Sequence, residues 1–310
     1  MYLVRAAACF PFDRVAGGSV ATIGAYDGLH SGHRRLLESV LQTSREEGIP
    51  SVVMSFEPTP KEFFAPSSPP ARLMRFREKF EMLAQAGVEI FFCPRFDDRM
   101  RSMSPATFIR QLLVHAMNVR QLVIGDDFCF AEGGRGTVEH LRCAGKALDF
   151  AVRQVPSVVI GGERVSSTAI RKALWAGELD RAARLLGRHY SMSGTVIRGD
   201  RLGRALGYPT ANVNLRRRQS PVMGIFAARV RGLGREPLDA VASVGTRPTF
   251  GGIKPLLEVH IFDFDEDIYG AYIHVDFIAR LRSEEKFGGA RELIEQMHRD
   301  TARAKEILAA

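Results

Sequence analysis

The stretch Gly24-Ala25-Tyr26-Asp27-Gly28-Leu29-His30-Ser31-Gly32-His33 decides how the first half of this chain folds. It follows a short apolar run, Ser19–Ile23, that reads as a strand, and runs into Arg34–Leu41, where apolar residues recur at helical spacing. Strand, glycine-rich turn and helix start together make a phosphate cradle. Glycines let the backbone approach an anion, and the unpaired N–H groups of the first helical turn point at it. His30 and His33 are three apart, which places them on one face of a first helical turn. The plainer alternative is a tight turn carrying a surface or metal-binding histidine pair.

Outward from this turn, short apolar runs alternate with helical patterns. The runs are Ser51–Phe56, Ile90–Cys93, Gln121–Ile124 and Phe150–Val155; the helical candidates are Arg34–Glu47, Arg72–Ala86, Pro105–Met117 and Val138–Ala147. That alternation predicts a parallel sheet with helices on both faces, with ligands at the carboxyl ends of its strands. Gly24 and Gly125-Asp126-Asp127 both follow strands and should reach one crevice. Ser166-Ser167-Thr168 reads as the cap of a helix over Ala169–Trp175, and Glu178–Leu186 as another helix ending at Gly187. From Arg188 the texture changes to strands broken by glycine and proline, at Gly194–Ile197, Gly224–Val230, Ala240–Gly245, Leu256–Phe262 and Tyr272–Ile278. Strands without intervening helices predict an antiparallel barrel or sandwich, closed by one helix over Gly289–Ile307. The expected division is a domain over 1–186 and a second over 187–310.

Several strings carry chemistry. Arg171, beside the hydroxyls of Ser166, Ser167 and Thr168, would neutralise leaving phosphates. Asp126 and Asp127 would help hold magnesium or a ribose, with Phe128 lining a ring pocket; a structural loop is the simpler reading. Phe56-Glu57-Pro58-Thr59-Pro60 also leaves a strand end. In Gly199–Asn212, glycines surround arginines, and Pro209-Thr210-Ala211-Asn212 puts Thr210 and Asn212 on one side of an extended segment. Their oxygens suit magnesium carried on a triphosphate. Strand alternation puts Glu258 and His260 on one face, where Glu258 would serve as a base for a substrate hydroxyl.

Composition narrows the class. With 45% apolar and 25% charged residues over 310 positions, the chain reads as a globular protein of about two domains. It lacks a long apolar run and a secretory leader pattern, so neither a membrane span nor export is expected. Four cysteines without a Cys-x-x-Cys pair predict free thiols and a cytoplasmic location. The net charge of +8 splits evenly: 24 Lys/Arg against 20 Asp/Glu up to Leu186, and 19 against 15 after it. An even spread argues against a nucleic-acid arm and suits anionic small substrates. Arg216-Arg217-Arg218 would support an RNA-binding module, but reads more simply as a solvated turn.

Together these strings resemble the prokaryotic bifunctional riboflavin kinase/FAD synthetase family, in the family's order and over nearly the whole chain. The resemblance implies a Rossmann-like nucleotidyltransferase domain that adenylylates FMN, followed by a small Greek-key β-barrel that phosphorylates riboflavin. Gly24–His33 matches the family's Gly-x-Phe-Asp-Gly-Val-His-x-Gly-His, which makes Gly24, Tyr26, Asp27, Gly28, His30, Gly32 and His33 the ATP-binding candidates. Ser166, Ser167, Thr168 and Arg171 match its second phosphate motif, and His30, His33 and Arg171 are the implied catalytic groups. Phe56, Pro58, Pro60, Asp126, Asp127 and Phe128 are the FMN/FAD candidates. In the barrel the resemblance assigns Glu258 as base and Thr210 and Asn212 as magnesium–ATP ligands. Gly199, Arg204, Gly207, Tyr208, Pro209, Arg282, Glu284 and Phe287 complete its ATP and flavin site. Cys129 stands where the family often has Arg or Lys, Ala131 where it has Gly, and Arg135 one place late. The implied ligands are ATP, riboflavin, FMN, FAD and Mg2+, with no nucleic acid or membrane partner; homo-oligomerisation stays open. A single-activity nucleotidyltransferase with another acceptor is the competing reading, since His-x-Gly-His recurs across that superfamily.

Overall fold

The computed structural model describes residues 1–199, 203, 207–249 and 252–309, with the side chains of 247–249 and 252–254 outside the description. Arg204 therefore lies outside the described residues. Two compact units are present: Met1–Pro70 with Arg75–Val165, and Ala71–Met74 with Ser166–Ala310.

The first unit is built on six parallel strands: β1 (Tyr2–Val4), β2 (Ser19–Ile23), β3 (Ser51–Met54), β4 (Ile90–Phe92), β5 (Val119–Gly125) and β6 (Ala151–Val155). They lie in the order β1-β4-β3-β2-β5-β6. Every residue of β2, β3 and β4 is buried, as a parallel sheet covered on both faces requires. One face carries α1 (Ser31–Glu47), whose Val40 and Leu36 pack with Val20, Val123 and Val155. A wide π-type helix over Ile109–Ala116 and α6 (Val138–Leu148, numbered below) pack on the other, where Ile90, Phe92, Leu113, Leu122 and Leu141 belong to one core. The remaining helices are α2 (Pro60–Phe64), α3 (Phe76–Gln85), α4 (Asp98–Arg101) and α5 (Pro105–Phe108), which leads into the π-type turns. The sequence read Pro105–Met117 as one α-helix; the widened turns bury Ile109, Leu112, Leu113 and Ala116. The helix expected from Arg72 starts at Phe76, because residues 71–74 belong to the second unit. The chain leaves β2 in one direction through β3 and β4 and in the other through β5 and β6. The switch point between β2 and β5 is where such sheets open a ligand crevice.

The second unit closes six antiparallel strands into a barrel: β9 (Tyr190–Ile197), β10 (Ala211–Asn214), β11 (Gly224–Arg231), β12 (Leu238–Thr249), β13 (Gly252–Ile261) and β14 (Tyr272–Arg282), in the order β10-β13-β12-β11-β14-β9. A short hairpin, β7 (Val159–Ile160) with β8 (Glu163–Arg164), precedes it in the first unit. Leu257, Val259, Phe226, Val275 and Phe277 are fully buried. Alternation puts Leu257 and Val259 inside the barrel and Glu258 and His260 outside. Two helices, α7 (Ser167–Ala176) and α8 (Leu179–Leu186), read as a continuation of the first domain, with the boundary expected at Leu186. Instead α8 packs against β9 and β14, so both helices belong to the second unit. The last helix, α9 (Ala290–Ala309), lays Ala304 and Leu308 on Ile225 and Ala227 of β11.

Candidate active sites

At the carboxyl end of β2, three of four consecutive residues from Tyr26 to Leu29 have left-handed backbones: Tyr26 (φ 49°), Gly28 (φ 92°) and Leu29 (φ 41°). Only the glycine adopts this without strain; each of the others costs on the order of 1 kcal/mol. The surroundings hold them there. Tyr26 is wholly buried and its hydroxyl lies 2.6 Å from Thr22 Oγ1, inside the sheet. Burial pushes the Tyr26 hydroxyl far above the usual phenol range. Tyr26 therefore supports the turn from within rather than offering its hydroxyl to a ligand. A Cβ on Gly24 would lie 3.1 Å from the Tyr26 ring, so the first glycine makes room for it.

His30 is the N-cap of α1, not a residue of its first turn. Its Nδ1 accepts the His33 backbone N–H at 3.3 Å, so a neutral His30 carries its proton on Nε2. The two imidazoles stack with centroids 3.6 Å apart and planes 14° apart. Burial holds the His33 imidazole well below its ordinary range, and the His30 ring and the Lys79 charge push the same way. His33 Nδ1 is buried and finds no hydrogen-bond partner among the described residues. A proton on Nε2 leaves that buried nitrogen as a bare acceptor, the less costly tautomer. The arrangement stacks two imidazoles at the start of a helix, with His33 held neutral.

The loop after β5 stands across the switch point from this turn. Asp126 accepts from the Ser157 hydroxyl at 2.7 Å and the Ser157 N–H at 3.1 Å, and Arg164 Nη2 lies 2.6 Å from Asp127. The Ser157 hydrogen bonds hold the Asp126 carboxyl below its usual range, with Arg164 adding to them. Both carboxylates thus tie the loop to the β7–β8 hairpin. Phe128 stacks on Phe130 at 5.8 Å, and Phe130 exchanges backbone hydrogen bonds with Gly136. Ala131 has φ 64° and ψ −169°, a conformation that suits glycine. At the end of β3, Phe56 joins the core against Phe96, the Glu57–Pro58 peptide is cis, and Pro60 opens α2 behind a Thr59–Glu62 capping box.

Ser166 caps α7 by accepting the Ala169 N–H at 3.1 Å, and Arg171 Nε donates to the Ala71 carbonyl at 2.6 Å. Ser166, Ser167, Thr168 and Arg171 lie in the second unit, whereas the Gly24–His33 turn lies in the first.

On the barrel, β10 and β13 pair so that Asn212 stands directly opposite Glu258. The expected magnesium ligand and the expected base are cross-strand neighbours on the outer face, within about 5 Å of each other by Cβ. A Cβ on Gly199 would run into the Asn212 amide, so the loop backbone lies against that side chain. Gly207 adopts φ 82° just before Tyr208. A cavity of ≈ 330 Å³ opens beside Thr210, lined also by Val196, Arg198, Ala211, Val259 and Tyr269. Among the described residues no group of three or more His, Cys, Asp or Glu could hold a metal.

Two residues that sequence reasoning passed over, His298 and Lys79, stand at these sites, together with His260, which it placed on the Glu258 face without a role. His298 of α9 meets the buried Tyr208 hydroxyl at 2.6 Å. His260, edge-on to Tyr208, holds the Pro209 carbonyl at 2.9 Å. Lys79 lies beneath the first turn. His298 and Lys79 sit in unremarkable amphipathic helices, and no local pattern marks them. Arg282, expected in the flavin site, is instead clamped to the buried Asp300 of α9 at 2.8 Å and lies over Phe287. The Glu284 carboxylate lies where a Cβ on Gly245 would be. Arg217, read as part of a solvated triplet, is buried and donates to the Arg72 carbonyl at 2.5 Å.

Comparison with known proteins finds two families in the same order along the chain, meeting between residues 169 and 186 rather than at Val165. Residues 13–169 match the FAD synthetase family and residues 186–308 the riboflavin kinase family. The bifunctional riboflavin kinase/FMN adenylyltransferase of Escherichia coli K12 is 45% identical over 94% of this chain and 93% of its own. The Haemophilus influenzae protein of the same description is 40% identical over 94% of this chain and 95% of its own. A crystal structure described as a macrolide-efflux protein from Streptococcus pneumoniae superimposes with a TM-score of 0.83 and 30% identity, covering 98% of both chains. Among the described residues, no helix is long and apolar enough to cross a membrane.

Proposed function

Because this chain belongs to the bifunctional riboflavin kinase/FMN adenylyltransferase family, and so makes FAD from riboflavin in two steps, we propose how its residues divide the work. The kinase region phosphorylates riboflavin. The riboflavin 5′-hydroxyl attacks the γ-phosphorus of ATP, the bond to the bridging oxygen breaks, and ADP leaves. Glu258 takes the hydroxyl proton as the new O–P bond forms. The observation that carries this assignment is the Asn212–Glu258 register, which sets a carboxylate base beside a phosphate-positioning amide.

The donor set fits magnesium brought in on the nucleotide. Thr210 and Asn212 offer hard, uncharged oxygens, and the backbone at Gly199 leaves no room for a Cβ beside Asn212. Bound there, magnesium would offset charge on the phosphates. The cavity beside Thr210 gives room for the nucleoside. Tyr208, His260 and His298 hold the Pro209–Thr210 backbone in place, and Arg282 fastens α9 to the barrel.

The FAD synthetase region transfers adenylate. An oxygen of the FMN phosphate attacks the α-phosphorus of a second ATP and pyrophosphate leaves. This nucleophile is already an anion, so positioning and charge stabilisation carry the rate. His30 and His33 donate Nε2–H to the phosphates, with the α1 N-terminus and the Gly24–Gly28 backbone. Ser166, Ser167, Thr168 and Arg171 form a capped helix start with a guanidinium, which suits binding a phosphate. Phe56, Pro58, Pro60 and Phe128 border the FMN side. Incubation with riboflavin, ATP and magnesium, followed by chromatography, tests the scheme. FMN should appear first, then FAD with pyrophosphate; FMN accumulating without FAD would refute the adenylyl-transfer half.

A further inference from the structure

Lys79 of α3 is 3% exposed. Its ammonium donates to the Ala25 carbonyl at 2.6 Å and to Ser55 Oγ at 3.1 Å, and Ser55 donates to the same carbonyl at 3.1 Å. Ala25 is the second residue of the turn that follows β2, and Ser55 directly follows β3. A fixed positive charge therefore lies under the turn, at the carboxyl ends of two central strands. Burying an ammonium is costly, and a methionine of similar length would fill the space without that cost. Packing alone does not account for a lysine here. The charge also reaches His33, which faces the His30 ring, the Tyr26 ring 5.0 Å away and Lys79. It favours the neutral imidazole that the site uses as a donor. An anion bound at the turn would gain from the same charge, since little water intervenes to screen it.

We propose that Lys79 is a positioning residue for adenylyl transfer, a buried cation that fixes the Gly24–Gly28 turn and lends its charge to the polyphosphate bound there without touching it. The proposal rests on the reading of that turn as the ATP site. Its test uses the full chain with Lys79→Met, Lys79→Gln and Lys79→Arg, with His30→Ala as the reference and riboflavin phosphorylation as the internal control. Lys79→Met and Lys79→Gln should each lower kcat/KM for FMN adenylylation at least tenfold. Calorimetry with pyrophosphate and magnesium should show affinity weakened by a similar factor. Lys79→Arg should recover part of both. Kinase turnover should stay within twofold of the parent, and Lys79→Arg, which keeps the buried charge, should keep the parent's unfolding temperature. Full adenylylation in Lys79→Gln, with His30→Ala inactive, overturns the proposal and leaves the turn as the ATP site. Full adenylylation in His30→Ala overturns the reading beneath it. A lower melting temperature in Lys79→Met with both activities lost overturns the proposal in favour of a purely structural lysine.

Discussion

The Gly24–His33 turn and the Asn212–Glu258 strand pair answer opposite chemical demands. The turn is buried from Tyr26 to His30, strained at Tyr26 and Leu29, and backed by a buried phenol and a buried ammonium. The strand pair lies half-exposed on the outside of a barrel, with a free-standing register rather than strain to align it. An anionic nucleophile needs only to be aimed, so rigidity and fixed charge suffice in the first place. A hydroxyl nucleophile must lose a proton, so the second needs a carboxylate that solvent can keep ionised. On the assignment proposed above, the contrast ties each module's local environment to the pKa of its nucleophile.

The strongest way to break this comparison is a pair of variants measured in both assays. Glu258→Gln should reduce riboflavin phosphorylation by roughly 10²- to 10⁴-fold and leave adenylylation of supplied FMN unchanged. His30→Ala should do the reverse, with a loss on the order of 10²-fold. Equal losses in both assays from either variant would mean that the two sites are not separable. A smaller effect concerns the support beneath Thr210. His298→Ala removes one of the Tyr208 hydroxyl's partners, leaving Thr301, and should raise the KM for ATP in the kinase reaction about tenfold, equivalent to about 1.4 kcal/mol. Unchanged steady-state kinetics would mean the Pro209–Thr210 segment holds itself.

The turn should also announce itself through pH. The folded His33 resists protonation, while in the unfolded chain it titrates near 6.5. Below that value the unfolded state binds more protons. Stability is therefore lost as pH falls through about 6.5 and is flat above it, with a slope of up to about 1.4 kcal/mol per pH unit from this group. Denaturant midpoints between pH 7.5 and 5 measure the slope, and His33→Asn should flatten it. The smallest effect lies in the neighbouring loop. Ala131→Gly relieves a glycine-type backbone and should stabilise the first unit by about 1 kcal/mol in thermal unfolding. A destabilised variant would mean that the Ala131 methyl packs well enough to offset the strain.

Much of this was legible in the sequence because it is local. The β2 limits at Ser19–Ile23 and the Leu257/Glu258 alternation follow from spacing within a few residues, whereas His30, read as part of the first helical turn, is its N-cap. What escaped is set by distant partners. Strand β1 is three residues long and exists through its pairing with β4. Helices α7 and α8 have the pattern of the first domain, but α8 finds its apolar partners on β9 and β14. Lys79 looked like any helical lysine until Ser55 and the Ala25 carbonyl came to meet it. Arg282 pairs with Asp300, a partner eighteen residues on that no local pattern announces. Tyr26 carried a site motif, and its hydroxyl faces Thr22.

The clasp of α9 on the barrel, through Arg282–Asp300 and Tyr208–His298, has a consequence for biogenesis. A nascent chain can complete its parallel sheet once Val155 has left the ribosome, but the barrel waits for a helix that runs to residue 309. Translation thus completes the sheet of the module that acts second before the barrel of the module that acts first can close.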